Sequence, residues 1–163
     1  MALSTKRIGE SVLCLIDDNL LFMKKLLAIF LIVVSFSACH NLTEKIEVRF
    51  PNGKPQIVRY YDKSDVLVKE VEYYDTGQVK MEGGMKDGQR EGLWKAYFPD
   101  GRPQSIGYFA NGLRTGQATV YQVNGNLYEE GFYKEGKHCG KWKFYDEQGD
   151  LLKEVDFGGM DSE

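Results

Sequence analysis

Glycine recurs at a fixed step through most of this chain. Gly53, Gly77, Gly101, Gly125 and Gly149 stand 24 residues apart, and so do Gly83, Gly107 and Gly131. Two further columns, Gly88/Gly112/Gly136 and Gly92/Gly116/Gly140, keep the same step. Tyr73, Tyr97, Tyr121 and Tyr145 follow it too. Several columns in one register mean a structural repeat, in which each unit buries its apolar face against its neighbours. That excludes an ordinary aperiodic globule before any other property is considered.

The repeat reads as a β-hairpin. Between Gly92 and Gly116, Trp94, Ala96 and Phe98 alternate with Leu93, Lys95 and Tyr97, the two-residue period of a strand. Pro99-Asp100-Gly101 is a turn whose glycine supplies positive φ. Residues 102–109 form the return strand, and Asn111-Gly112 opens a second turn that is expected to close at Gly116. No stretch of 46–157 holds a helical apolar period for more than two turns. The fold class expected is all-β: a single antiparallel meander of tandem 24-residue β-hairpin repeats. Residues 94, 118 and 142 read Trp, Ala, Trp, and 96, 120 and 144 read Ala, Val, Phe, so large and small residues offset one another on one face. Gly83, Gly107 and Gly131 fall inside strands and are expected beneath aromatic rings. The last strand, 151–157, has no successor in the sequence and carries Lys153, Glu154 and Asp156, charges that discourage open-ended pairing.

Outside the repeats, an apolar run at 26–36 follows Lys24 and Lys25 and precedes Ser37 and Ala38. Eleven residues are too few to span a bilayer, where roughly 20 are needed. Charged, apolar and small-residue regions in that order make a secretory signal. Phe36-Ser37-Ala38-Cys39 resembles the lipobox of bacterial lipoproteins, with Phe where Leu is usual. The resemblance implies that Cys39 becomes the first mature residue and carries the lipid. With His40 rather than Asp after it, it implies an outer membrane where the cell has one. Translation is expected to start at Met23, with 1–22 an extension upstream of the true start; the alternative is a genuine extension that makes 26–36 internal. The organisation expected is 1–22 extension, 23–38 signal peptide, 39–47 short tether, 48–157 repeat domain and 158–163 tail. If the signal is unused, the location is cytoplasmic.

Gly92-Leu-Trp-Lys-Ala-Tyr-Phe-Pro-Asp-Gly101 and Tyr133-Lys-Glu-Gly-Lys-His-Cys-Gly-Lys-Trp142 resemble MORN repeats, and their bacterial variant most. The resemblance runs over Val48 to Phe157 and departs at Ala118, at Gln122 and in the first unit, where Asp62-Lys63-Ser64-Asp65 replaces a glycine turn. It implies a membrane-associated scaffold. Some bacterial variants are labelled antitoxins, so it also implies, as an alternative, a protein that binds and inhibits a partner protein.

Composition narrows the function. With 21 Lys+Arg against 24 Asp+Glu the net charge is −3, which argues against nucleic acid held by a basic field. His138 and Cys139 are read as residues of the 136–140 turn and not as a nucleophile pair, which needs a third, orienting group. One His and one Cys fall short of a structural zinc site. No catalytic residue, cofactor or metal is expected, and a non-enzymatic binding or scaffolding module of the cell envelope is the leading function; an envelope hydrolase with an unrecognised site is the remaining alternative. Tyr97, Tyr121 and Tyr145, with Lys95 and Lys143 beside them, form the binding surface expected, for a protein or an envelope glycan. The sequence leaves the oligomeric state open.

Overall fold

The computed structural model describes residues 42–159, and the lipobox, signal and upstream extension lie outside them. The described chain is a run of strands joined by two kinds of tight turn, and each kind follows from its residues. At one end of the strands, segments such as Phe98-Pro99-Asp100-Gly101 close a four-residue turn, with Gly101 N–H donating to the Phe98 carbonyl at 2.8 Å. Asp100 Oδ1 accepts from the Arg102 N–H at 2.9 Å, and Gly101 takes φ +86°. At the other end the first connection repeats that pattern, with the Asp65 N–H donating to the Asp62 carbonyl at 3.0 Å, and in the later units only two residues turn the chain. Asp87-Gly88, Asn111-Gly112 and Glu135-Gly136 all have both φ angles positive, the mirror-image turn whose twist matches paired strands.

These turns link β1 (Thr43–Arg49), β2 (Pro55–Tyr61), β3 (Leu67–Tyr73), β4 (Val79–Lys86) and β5 (Gln89–Tyr97). They continue through β6 (Pro103–Ala110), β7 (Leu113–Tyr121), β8 (Leu127–Lys134), β9 (Lys137–Tyr145) and β10 (Leu151–Asp156). All ten strands form one sheet in sequence order, every neighbouring pair antiparallel. The single antiparallel meander expected from the period is the fold.

Three expectations need correction. The second turn does not extend to Gly116: Asn111-Gly112 is complete in two residues. Gly92, Gly116 and Gly140 lie inside β5, β7 and β9 with φ of +69°, +63° and +60°. There the register slips against the partner strand, as between Gly83 and Gly84 and between Gly107 and Tyr108, so these glycines mark bulges. His138 and Cys139 accordingly belong to strand β9 and not to a turn. Finally, residues 43–47 are not tether. They belong to β1 and pair with β2, from Thr43 opposite Tyr61 to Ile46 opposite Val58. β1 is exposed along its length, as an edge strand without a second layer must be.

The register assigns side chains to two faces. Trp94 stands opposite Gly107, Ala96 opposite Ser105, Ala118 opposite Gly131 and Phe144 opposite Glu129 on one face, here the Trp face. Lys95 opposite Ile106 and Thr119 opposite Glu130 lie on the other, the Tyr face. A single-layered sheet has no second layer to bury its rings, yet Trp94 is 4% and Trp142 0% exposed. Glycine makes half of that burial possible. A methyl carbon on Gly83 would fall inside the Trp94 ring, and one on Gly131 inside the Trp142 ring, so each indole lies flat on bare backbone. The indole N–H is satisfied as well: Trp94 Nε1 donates to the Gly84 carbonyl at 2.9 Å, and Trp142 Nε1 to that of Phe132 at 3.0 Å. Gly83 and Gly131 therefore sit beneath rings as expected. Gly107 does not, because Ala118 takes the tryptophan position there.

Candidate binding surface

Three rows cross the Tyr face. Tyr97 and Tyr145 lie near the four-residue turns, where each donates its hydroxyl to a glutamate of the preceding strand. Tyr97 Oη reaches Glu82 Oε1 at 3.2 Å, and Tyr145 Oη reaches Glu130 Oε1 at 2.7 Å. A middle row of alternating charge contains those glutamates. Lys95 is opposite Glu82 and Lys143 opposite Glu130. Lys69 Nζ closes on Glu82 Oε2 at 2.7 Å. The Lys69 hydrogen bond holds the Glu82 carboxyl below the usual carboxylate range against partial burial, with help from Tyr97 and Lys95. The Tyr97 phenol is pushed up, by burial first and by the Glu82 charge second. The Tyr145 phenol rises chiefly because it donates to Glu130. In the central unit the same places hold Ile106 and Thr119, so Tyr121 has an isoleucine where its counterparts have a glutamate. A third row, near the two-residue turns, exposes Leu93, Tyr108 and Phe132.

The structure brings Tyr97, Tyr121, Tyr145, Lys95 and Lys143 onto one face, with the Glu82 and Glu130 carboxylates held by Lys69, Tyr97 and Tyr145 between them. Each of the two lysines has a glutamate across the strand pair. The glutamates at 82 and 130 are 48 residues apart, two periods, and that column was the signal for the pairing.

A second set of basic side chains lies on the opposite face, in a column the residue pattern also carries. Arg90, Arg114 and His138 are 24 apart, and so are Phe109, Tyr133 and Phe157. On the Trp face these two columns interleave. The Arg90 guanidinium lies 4.2 Å from the Trp94 ring centre and 5.6 Å from that of Phe109. Arg114 lies 5.7 Å from Phe109 and 5.3 Å from Tyr133. The His138 ring is 4.9 Å from Tyr133, 4.0 Å from Trp142 and 5.0 Å from Phe157. Its Nε2 is 3.0 Å from the Tyr133 hydroxyl. Arg90 and His138 thus cover the two indoles in place of a second layer, and Arg114 covers Phe109 and Tyr133. Burial pushes the Tyr133 phenol up, while Arg114 works in the opposite direction.

His138 is exposed, whereas Cys139 is buried with its Sγ 3.5 Å from the Phe132 carbonyl, so adjacent strand positions carry them to opposite faces. Among the described residues, no group of three His, Cys, Asp or Glu side chains is placed to hold a metal ion. A depression of about 500 Å³ lies open beside the first turns and includes Phe50, Gln56, Glu72, Tyr74 and Lys80. Glu72 there is engaged by Lys80 at 3.5 Å and Arg90 at 3.6 Å. A second depression of about 300 Å³ lies on the Tyr face around Lys69, Glu82, Leu93 and Lys95.

The fold and both faces define a tandem β-hairpin repeat protein, and three of its segments match a known repeat family. Residues 90–111, 114–135 and 139–157 each match the family described as MORN repeat variant. No curated protein sequence matches the chain. Among solved structures, it is similar to a TarM mutant from S. aureus in complex with fondaparinux, α-GlcNAc-glycerol and UDP. That similarity has 12% identity and a TM-score of 0.30, over 80% of this chain and 22% of that one. A second TarM structure gives 12% identity and a TM-score of 0.27, over 79% of this chain and 23% of that one. The chain thus spans under a quarter of TarM's length, at a likeness too low to bear on activity.

Proposed function

We propose that this protein is a non-enzymatic binding or scaffolding module of the bacterial cell envelope, held at a membrane by a lipid on Cys39. Its Tyr face is the surface that takes a partner protein. The observation that carries the reading is the row of exposed Leu93, Tyr108 and Phe132 running beside the Tyr97/Tyr121/Tyr145 row on a face that no second layer of the described residues covers. Exposed apolar side chains grouped together, flanked by charge, mark interaction sites. The matched Lys–Glu units between the two rows set register and selectivity more than raw affinity. The MORN repeat variant match over β5 to β10 supports a binding role, and the depressions on both faces are open ones in which Glu72 and Glu82 are already ion-paired.

Two variants test it. Cys39→Ala is expected to release the protein from the detergent-extracted membrane fraction, since stable anchoring takes two acyl chains or more. An unchanged mass and unchanged extraction overturn the anchor. Tyr97→Ala with Tyr121→Ala is expected to lose partners in a pull-down from envelope extract while circular dichroism stays that of the wild type. Partners retained on an intact fold remove the Tyr face from the proposal.

A further inference from the structure

The Trp face carries a second surface, independent of the first. We infer that the Arg90–Arg114–His138 column is a docking track for an extended acidic segment of a partner protein, with one carboxylate held by the N–H donors of each of the three side chains.

Charge is the first ground. Arg114 and His138 are exposed, and among the described residues Arg114 has no ion pair within 4.0 Å. Arg90 has only Glu72, at 3.6 Å and near the end of the track. A chain of net charge −3 thus presents on one face an arginine with no such ion pair, Arg114, between Arg90, whose single pair is at 3.6 Å, and the exposed His138 imidazole.

Preorganisation is the second. Arg114 is gripped between Phe109 and Tyr133, so little side-chain freedom is lost when a carboxylate meets its fork of N–H donors. The backbone beneath is fixed too, because the Arg90 and Arg114 carbonyls accept from the Gly112 and Gly136 N–H groups at 3.0 and 2.8 Å.

Spacing is the third. Successive basic side chains are two strands apart, about 9.5 Å at the usual strand separation. A polyproline II segment rises about 9.3 Å in three residues, which puts every third side chain on one of them. The partner segment is therefore extended, with Asp or Glu at every third position. Glycan is disfavoured because sugars stack on the faces of rings. Here the faces of Phe109 and Tyr133 are already taken by Arg90, Arg114 and His138. A single file of two arginines and a histidine is also a poor match for the two-dimensional field of an anionic bilayer.

The probe is a fluorescein-labelled peptide of Glu-Pro-Pro repeats, titrated at low salt against the full-length chain in detergent and read by anisotropy. Peptides with Gln for Glu, and with Glu at every second position, are the controls. Saturable binding of the Glu-Pro-Pro peptide alone is expected. Arg114→Met keeps the stem between Phe109 and Tyr133 and removes the charge; it is expected to weaken binding about tenfold or more, the scale of a charge-assisted hydrogen bond. Arg114→Lys restores part of that loss. Unchanged melting of both variants separates binding from packing. Tyr97→Ala/Tyr121→Ala, which disables the Tyr face, leaves this binding intact. No binding to the wild type, equal binding of the two Glu spacings, or preference for a sulfated oligosaccharide or anionic vesicles overturns the inference. So does binding that appears only after residues 160–163 are removed, which would make the chain's own Asp161 and Glu163 the occupant.

Discussion

The central repeat and the two that flank it share one backbone plan and differ on both faces. In the flanking units an indole lies on a bare glycine, Trp94 on Gly83 and Trp142 on Gly131, and a Tyr–Glu–Lys set stands on the reverse. In the central unit Ala118 faces Gly107, with Ile106 and Thr119 behind. The turns meanwhile are alike throughout: Gly77, Gly101, Gly125 and Gly149 take φ from +86° to +95°. Backbone geometry is therefore maintained by the turns in every unit, whereas packing density is concentrated in alternate ones. A repeat array tolerates this because stability is close to a sum of unit and neighbour terms, and a weak unit is held by strong ones on either side.

The contrast is broken most severely by removing an indole. Trp142→Ala is expected to cost ~3–5 kcal/mol in denaturant unfolding, the range for a large buried aromatic. A loss no greater than that of an exposed residue would show that glycine stacking is not what holds the sheet. Next comes the glycine beneath. Gly131→Ala drives a methyl into the Trp142 ring and is expected to cost ~1–3 kcal/mol, the usual effect of overpacking. Gly107→Ala meets only the Ala118 methyl at 3.7 Å and is expected to be neutral or stabilising by up to ~1 kcal/mol. Equal effects at the two glycines would erase the distinction between central and flanking units.

The turns supply the converse test. Gly101→Val and Gly125→Val both put a β-branched side chain at positive φ and are expected to cost ~1–3 kcal/mol each, alike within error. Thr119→Val, on a strand, is expected to be nearly silent. The smallest effect is titrational. Glu82 has a folded-state pKa below its ordinary 4.5, so its contribution is present at neutral pH and lost as pH falls through the depressed value. Glu82→Gln is expected to flatten the acid side of the melting-temperature profile, and Ile106→Gln to leave its slope unchanged.

Much of this was legible in the sequence, and what was missed has a common cause. Period, fold class, four-residue turns and the Trp/Ala/Trp column all follow from residue type and spacing. Gly116 was read as a turn end because turns and bulges ask the same thing of glycine, a positive φ, and only the cross-strand register tells them apart. β1 was missed because its unit lacks the second glycine turn, Asp65 taking the positive φ of +58° instead. For the binding surface, the sequence placed five residues on one face correctly by alternation. It did not show that Glu82 and Glu130 lie opposite Lys95 and Lys143, since that pairing depends on the hairpin register. The Arg90/Arg114/His138 column was in plain view, but arginine at a half-buried position reads as solvated surface until the rings it covers are seen.

One property of the meander reaches past equilibrium stability. The strong contacts run only between strands adjacent in sequence, and β1 and β10 are the outermost strands. Tension applied between the two ends therefore pulls across the strands, and loads the ladder hydrogen bonds one after another rather than all at once. Such a sheet opens like a zipper from its edges, in steps of one hairpin, and each 24-residue step pays out roughly 80 Å of contour length. Held at one end and loaded at the other, the domain is an extensible leash whose first units to yield are the edge hairpins and whose last are those locked by an indole.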